Sequence, residues 1–324
     1  REEAVLVAYG IAAFAAVIVG VVLSRRWWRD DVNQQQQPLP QGQLWARLLP
    51  FAAWVWVTNL LSNLFDATDR FMIVHLAAES TQSADSLVGQ YHSSRVVPLL
   101  LVSVAGMVSG IILPYLSRDW ESGRRREVSE LHSLSIKLSG LGFTALATGV
   151  LMAAPLLFTW LLQGKYDQGL SVLPWTLSYC VWFSISMIAQ NFLWCAEKAR
   201  LGSLALLFGL VANVLLNVLL VPYWGLLGAV VATTASNVIA LLLIIRFSRS
   251  AGFQADAGVY FCCCLPAVLL LGALPALAAV IGFSFLAVGR GWLFSVEEWR
   301  IMAEAVQYRV QAWSARCPWC AGFK

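Results

Sequence analysis

Apolar runs long enough to cross a bilayer recur along almost the whole chain, at 4–23, 48–76, 88–116, 131–162, 172–195, 201–220, 225–245 and 259–289. A spanning helix needs about 20 predominantly apolar residues, and in lipid a backbone satisfies its own hydrogen bonds only as a helix or a closed barrel. Runs this long suit helices. The segments between them hold too little charge for a water-soluble globule: Asp, Glu, Lys and Arg make up 12% of 324 residues, against 59% hydrophobic, where about 25% charged is usual. The sequence therefore predicts an all-α polytopic membrane protein, and excludes both a soluble enzyme and a disordered chain.

Loop charges orient the spans. Segment 24–47 holds Arg25, Arg26, Arg29 and Arg47, and 117–130 holds Arg118, Arg124, Arg125 and Arg126. Lys198 and Arg200 mark the next alternate loop, and Arg246 and Arg249 the one after. The intervening loops have none at 77–87 and 221–224, and Lys165 alone at 163–171. By the positive-inside rule the Arg-rich loops face the cytoplasm. The run 259–289 contains Pro266, Gly272, Pro275 and Gly282, and either crosses once or turns near 272–275. The alternation favours two crossings, with Arg300, Arg309, Arg316 and Lys324 in a cytoplasmic tail and about nine transmembrane helices in all.

Other features are mostly exclusions. The net charge of +4 comes from short clusters and offers no basic stripe for nucleic acid. Cys180, Cys195 and Cys262–Cys264 lie inside apolar runs and make no disulfide framework; the last three are palmitoylation candidates by composition alone. Phosphate-loop and H-E-x-x-H motifs are absent, His75, His92 and His132 lie in separate segments, and Cys317-Pro-Trp-Cys320 is a lone CxxC. No metal or cofactor is expected. The Gln- and Pro-rich stretch Asp30–Gln43 reads as a flexible connector. The chain opens at Arg1 without Met or a basic n-region, so a missing N-terminus is expected.

Ionisable groups inside a span are costly and face a bundle interior or a water-filled cavity. Asn59, Asn63, Asp66 and Arg70 recur on one helical face, with Asp69 beside it. Arg95 follows His92 by three residues, and Lys137 lies in a stripe with Ser133, Gly140, Thr144 and Thr148. Asn191 follows Gln190, and Asn213 and Asn217 are one turn apart. Together Arg70, Arg95, Asp66, Asp69, Asn59, Asn63, Lys137, Asn191, Asn213 and Asn217 are the candidate lining of a hydrated cavity. Arg matches phosphate oxygens bidentately and Asn both donates to and accepts from sugar hydroxyls, so the expected ligand is anionic and hydroxyl-rich. The simpler reading pairs Asp66 or Asp69 with Arg70 and makes the asparagines interhelical glue. Gly106 and Gly110 form a GxxxG suited to close helix packing, and Pro98, Pro114 and Pro222 mark kinks or span ends.

The run from Gly209 through Asn213, Asn217, Pro222, Gly225, Gly228 and Ala232 to Thr233 resembles the polysaccharide flippase branch of the multidrug/oligosaccharidyl-lipid/polysaccharide exporter superfamily. That branch typically carries N-x-x-L-N-x-x-L-[IV]-P-x-x-G-x-x-G-A-x-x-A-T. Asp69-Arg70-Phe-Met-Ile, Val88-Gly89-Gln-Tyr91 and Leu113-Pro114-Tyr-Leu-Ser117-Arg118 agree in order and spacing, so the similarity covers about 48–250. The resemblance implies a 14-helix fold of two six-helix lobes and a C-terminal helix pair, rocking about a central cavity. On that template 1–24 is the last helix of a truncated N-terminal lobe, 25–47 a cytoplasmic linker, 48–250 the C-terminal lobe, 259–290 the helix pair and 291–324 the tail.

The implied protein is a transporter, not an enzyme, of the bacterial inner membrane. It would flip an undecaprenyl-diphosphate-linked oligosaccharide for surface polysaccharide biosynthesis through a central cationic cavity, with Arg70, Arg95 and Lys137 near the diphosphate. Membrane lipids and polysaccharide polymerase or export proteins are the implied partners, and the missing lobe or a second chain would complete the cavity. One alternative is a cation-coupled multidrug exporter of the same superfamily with Asp66 and Asp69 as its ion site. A membrane-embedded glycosyl transferase or polymerase is less favoured, because the external loops are short.

Overall fold

The structure, a computed structural model, describes residues 10–12, 14–23, 41–77, 84–160, 167–290, 293–303 and 307. The chain forms two compact units, Arg1–Leu49 and Pro50–Lys324. In the first, helix α1 (Gly10–Leu23) exposes Ile11, Phe14, Val17 and Val21, the all-round apolar surface of a helix suited to lipid. The chain continues through α2 (Gln41–Leu76), α3 (Ala84–Glu121), α4 (Arg125–Trp160), α5 (Asp167–Ala189), the short α6 (Asn191–Cys195), α7 (Ala199–Ser250), α8 (Ala257–Cys264), a 3-10 helix (Leu265–Leu271) and α9 (Ala273–Arg290). Among the described residues five helices are long and apolar enough to cross a membrane. Gln41–Gln43, at the end of the expected connector, already belong to α2; its remainder and the Cys317–Cys320 motif lie outside the described residues.

Straight, the 52 residues of α7 would run about 78 Å at 1.5 Å each, far beyond a hydrocarbon core of about 30 Å. The helix doubles back at Gly225 (φ 54, ψ −127), a backbone conformation open to glycine and strained for other residues. Its two arms then lie within glycine distance of each other. A Cβ on Gly228 would fall 2.5 Å from the Leu220 carbonyl oxygen, and one on Gly209 3.0 Å from the Ala240 Cβ. Gly228→Ala is therefore expected to cost about 1–3 kcal/mol through overpacking, read as a lower Tm of the purified protein. An unchanged Tm would mean that the arms separate freely.

The run 259–289 also returns on itself. Gly272 (φ 98, ψ 177) ends the 3-10 helix, and Phe261 and Phe283, equally far before and after it, lie with ring centroids 4.5 Å apart. The outward leg, Ala257–Leu271, and the return leg of 18 residues each measure roughly 26–27 Å at helical rises. With α7 and this hairpin each doubled, the described residues form nine helical legs, the architecture of an all-α polytopic membrane protein.

Helix α5 is the centre of the bundle. Its Leu177, Val181, Ile185 and Ile188 are fully buried, against Leu116 of α3, Ile136 and Ala147 of α4, and Leu241 and Ile244 of α7. Trp182 Nε1 donates to the Cys263 carbonyl (2.7 Å) and Ser178 Oγ to that of Pro266 (3.3 Å), tying the C-terminal hairpin to α5. Cys262 and Cys263 are buried there and Cys264 is exposed. The GxxxG does not do what its spacing suggested. Gly106 has Met187 Cε at an ordinary 3.4 Å, and Gly110 faces open space beside the exposed Met107 and Ile111. Close approach occurs instead at Gly140, 2.8 Å from the Cys262 carbonyl, and Gly258, 2.5 Å from that of Leu293, as measured from a built Cβ.

Candidate substrate-facing site

Asp69 is the most buried acid of α2, 1% exposed, and a hub for three other legs. Its Oδ2 accepts from the Tyr91 hydroxyl (2.7 Å) and the Thr233 hydroxyl (2.7 Å). Its Oδ1 accepts from Asn213 Nδ2 (3.0 Å) and Asn217 Nδ2 (3.2 Å). The spacing of the two asparagines puts both on one face of the first arm of α7, and the turn at Gly225 brings Thr233 of the second arm alongside, where Asn213 Nδ2 also reaches its hydroxyl at 3.2 Å. Asn217 Nδ2 further donates to Asn213 Oδ1 (3.1 Å), while Asn217 Oδ1 is buried without a partner. The Thr58 and Ser203 hydroxyls, 2.8 Å apart, add a second polar link between α2 and α7.

One turn before Asp69, Asp66 pairs with Arg95 of α3. Arg95 is buried, whereas the Asp66 side chain is 47% exposed. The guanidinium lies 5.0 Å from the Tyr91 ring centroid and 5.9 Å from that of Tyr179, within cation–π range, and its Nε has no partner. These groups face a cavity of about 210 Å³ whose lining includes Asn63, Asp66, Asp69, Arg95, Tyr179 and Thr233. The lining holds two carboxylates and one guanidinium. The expected cationic character is thus absent from this wall, because Arg95 enters it already matched by Asp66.

Of the other sequence candidates, Asn63 also lines this cavity and the rest fall elsewhere. Asn213 and Asn217 stand fully buried behind Asp69. Asn59 and Asn63 are exposed and donate back to the carbonyls of Val55 (3.1 Å) and Asn59 (2.8 Å); Asn59 lines a neighbouring cavity. Arg70 is exposed on the same helix and is not in the cavity lining. Neither acid pairs as the simpler reading proposed, since the partner of Asp66 is Arg95.

Asn191 is an interhelical clamp: its Nδ2 donates to the Ser109 carbonyl (3.0 Å), and Ser109 Oγ donates to its Oδ1 (3.0 Å). Lys137 is furthest from expectation. Fully buried, its Nζ donates to Asp256 (2.5 Å) and to both carboxylate oxygens of Glu298 (2.8 and 2.7 Å). The small-residue stripe of α4 packs on the C-terminal hairpin at Gly140, and Thr144 and Thr148 turn their hydroxyls back to their own helix. Among the described residues no group of three or more His, Cys, Asp or Glu could hold a metal ion. Tyr91 and Tyr179 were missed as site residues, although Tyr91 closes one of the motif segments.

No protein-family model matches the chain. It is 24% identical over 305 residues to YabM, an uncharacterised membrane protein of Bacillus subtilis strain 168, an alignment covering 90% of this chain and 57% of YabM. Among solved structures it resembles an outward-facing multidrug resistance MATE family transporter of the MOP superfamily, at TM-score 0.50 and 18% identity, covering 74% of this chain and 54% of the other. A MOP superfamily transporter from Pyrococcus furiosus, whose binding pocket is described as of reverse polarity, aligns at TM-score 0.47 and 17% identity, covering 79% and 60%. The chain thus spans little more than half the length of the proteins it matches. At these identities the likeness is one of fold alone, over the 74% of this chain that aligns with the MATE family structure.

Proposed function

We propose that this chain forms one side of the cavity of a transporter in the bacterial inner membrane, and that its cargo is a lipid-linked oligosaccharide carried on a diphosphate. The observation that carries this reading is Arg95, a buried guanidinium in the cavity wall whose carboxylate partner, Asp66, is half-exposed. An incoming diphosphate oxygen replaces Asp66 on Arg95, and Asp66 turns to water. The guanidinium stays paired in both states, which avoids the large cost of an isolated buried charge, and its fork geometry suits phosphate. Alternating access needs two bundles around one site, so a second lobe or chain faces this wall. Surrounding lipid and the polymerase or export proteins that receive the glycan complete the setting.

The test is binding of an undecaprenyl-diphosphate disaccharide to the purified protein and its variants. Arg95→Gln is expected to weaken binding at least about tenfold, the loss of one charge-assisted contact. Asp66→Asn is expected to tighten it several-fold by removing the competitor. Weaker binding in both variants would end the exchange mechanism.

A second reading, a cation-coupled multidrug exporter, draws on the excess of carboxylates in the lining. It also draws on the orphan Asn217 Oδ1 beside Asp69, an acceptor that a bound cation would satisfy. Under it Asp66→Asn loses binding of organic cations such as tetraphenylphosphonium while Arg95→Gln retains it, the opposite pattern.

A further inference from the structure

A second cavity, of about 130 Å³, lies along the same wall and shares Ser62 and Phe183 with the first. Its lining differs in kind: among the described residues it contains no charged side chain, only hydroxyls, amides and apolar groups. Two N–H donors of lining residues, Gln190 Nε2 and Trp194 Nε1, are buried without a hydrogen-bond partner. Most buried polar atoms are paired, and an exception asks for an explanation.

Gln190 is held where it is by its surroundings. It sits at the junction of α5 and α6, 5% exposed. A Cβ on Gly202 would lie 2.8 Å from its Nε2, so the glycine makes room for the amide. An apolar side chain of similar length would fill the same space without leaving a donor unmatched.

We infer that this cavity is a subsite for the uncharged, acceptor-rich part of the cargo, a glycosyl unit presenting hydroxyl or N-acyl oxygens to Gln190 and Trp194. The inference rests on the proposed transport reading, in which the Arg95 cavity takes the charged part. Two donors without acceptors select oxygen. The absence of charge in the lining selects a neutral group, because an ion here would lack a counter-charge. The indole ring supplies an apolar face of the kind sugar C–H groups pack on.

The experiment uses the full chain in nanodiscs of phosphatidylethanolamine and phosphatidylglycerol, free of glycoside detergents whose headgroups would occupy the site. The probe is tri-N-acetylchitotriose, which is neutral, with affinity read by calorimetry. Wild-type protein is expected to bind it. Trp194→Phe, which keeps a ring and removes the donor, and Gln190→Leu are each expected to weaken binding by about five- to tenfold. Gly202→Ala, which displaces the amide, is expected to do the same.

The Tm of Gln190→Leu is expected to hold or rise, because an unmatched buried donor has been removed; a fallen Tm with unaltered affinity would make Gln190 structural and overturn the inference. Arg95→Gln is expected to leave chitotriose binding within about twofold while diphosphate binding weakens at least about tenfold, which separates this inference from the reading it rests on. No chitotriose binding by the wild type up to about 10 mM, or wild-type affinity in all three subsite variants, overturns it.

Discussion

Asp69→Ala is expected to lower the stability of the protein by on the order of 2–4 kcal/mol, several degrees in Tm, and to abolish transport. Four donors converge on that carboxylate from three other helical legs; alanine would strand the buried Tyr91 hydroxyl and leave Asn213, Asn217 and Thr233 only their bonds within α7. Interhelical hydrogen bonds in membranes average about 0.6 kcal/mol each, so four average bonds to one group fall at the lower end of that range and the stranded Tyr91 hydroxyl adds to them. Asp69→Asn keeps the shape and one acceptor oxygen but turns an N–H toward other donors, and is expected to lose roughly half as much. Thermal denaturation in detergent measures both. A wild-type Tm for Asp69→Ala would mean that the hub does not hold α2 to the bundle. Asp66→Asn keeps an acceptor oxygen toward Arg95 but leaves that buried guanidinium without a counter-charge, so it is expected to cost about 1–3 kcal/mol.

Lys137→Met is expected to cost stability still more, about 3–5 kcal/mol, although Lys137 is not in the lining of the Arg95 cavity. Glu298 is 2% exposed and loses its cation; Asp256, with a side chain 45% exposed, regains water more readily. The second substitution should repair much of the first, so Lys137→Met with Glu298→Met is expected to recover most of the lost Tm, because no buried charge then lacks a partner. Diphosphate binding at Arg95 should stay at the wild-type level in both proteins. If the double variant is no more stable than the single one, the pair is not the clasp that holds 296–303 against α4.

These two residues also mark how far the sequence could be read. The helices were legible because lipid imposes a length and a composition on each leg. The turn at Gly225 was legible as a break between runs because Pro222 and Gly225 fall together in the short interruption 221–224 and its edge. Which face of a helix looks inward was harder. On α2 the spacing singled out the stripe of Asn59, Asn63, Asp66 and Arg70, yet Asp69 beside it is the buried group, because its partners on α7 lie on that side.

On α4 a polar stripe implied water, but the residues facing Lys137 come from more than a hundred positions downstream. Periodicity records that a face differs from its neighbours, not what will cover it. Gln190 and Trp194 gave no signal of this kind, since an unmatched donor exists only once the surrounding side chains are in place.

The loopless turn in α7 has a kinetic consequence. Asn213, Asn217 and Thr233 supply three of the four bonds to Asp69, and all three belong to one hairpin whose arms are pressed together at glycines. A displacement of α2 along that hairpin cannot shed them one at a time. They let go in concert, so a displacement of α2 along the hairpin meets a threshold set by all three bonds together.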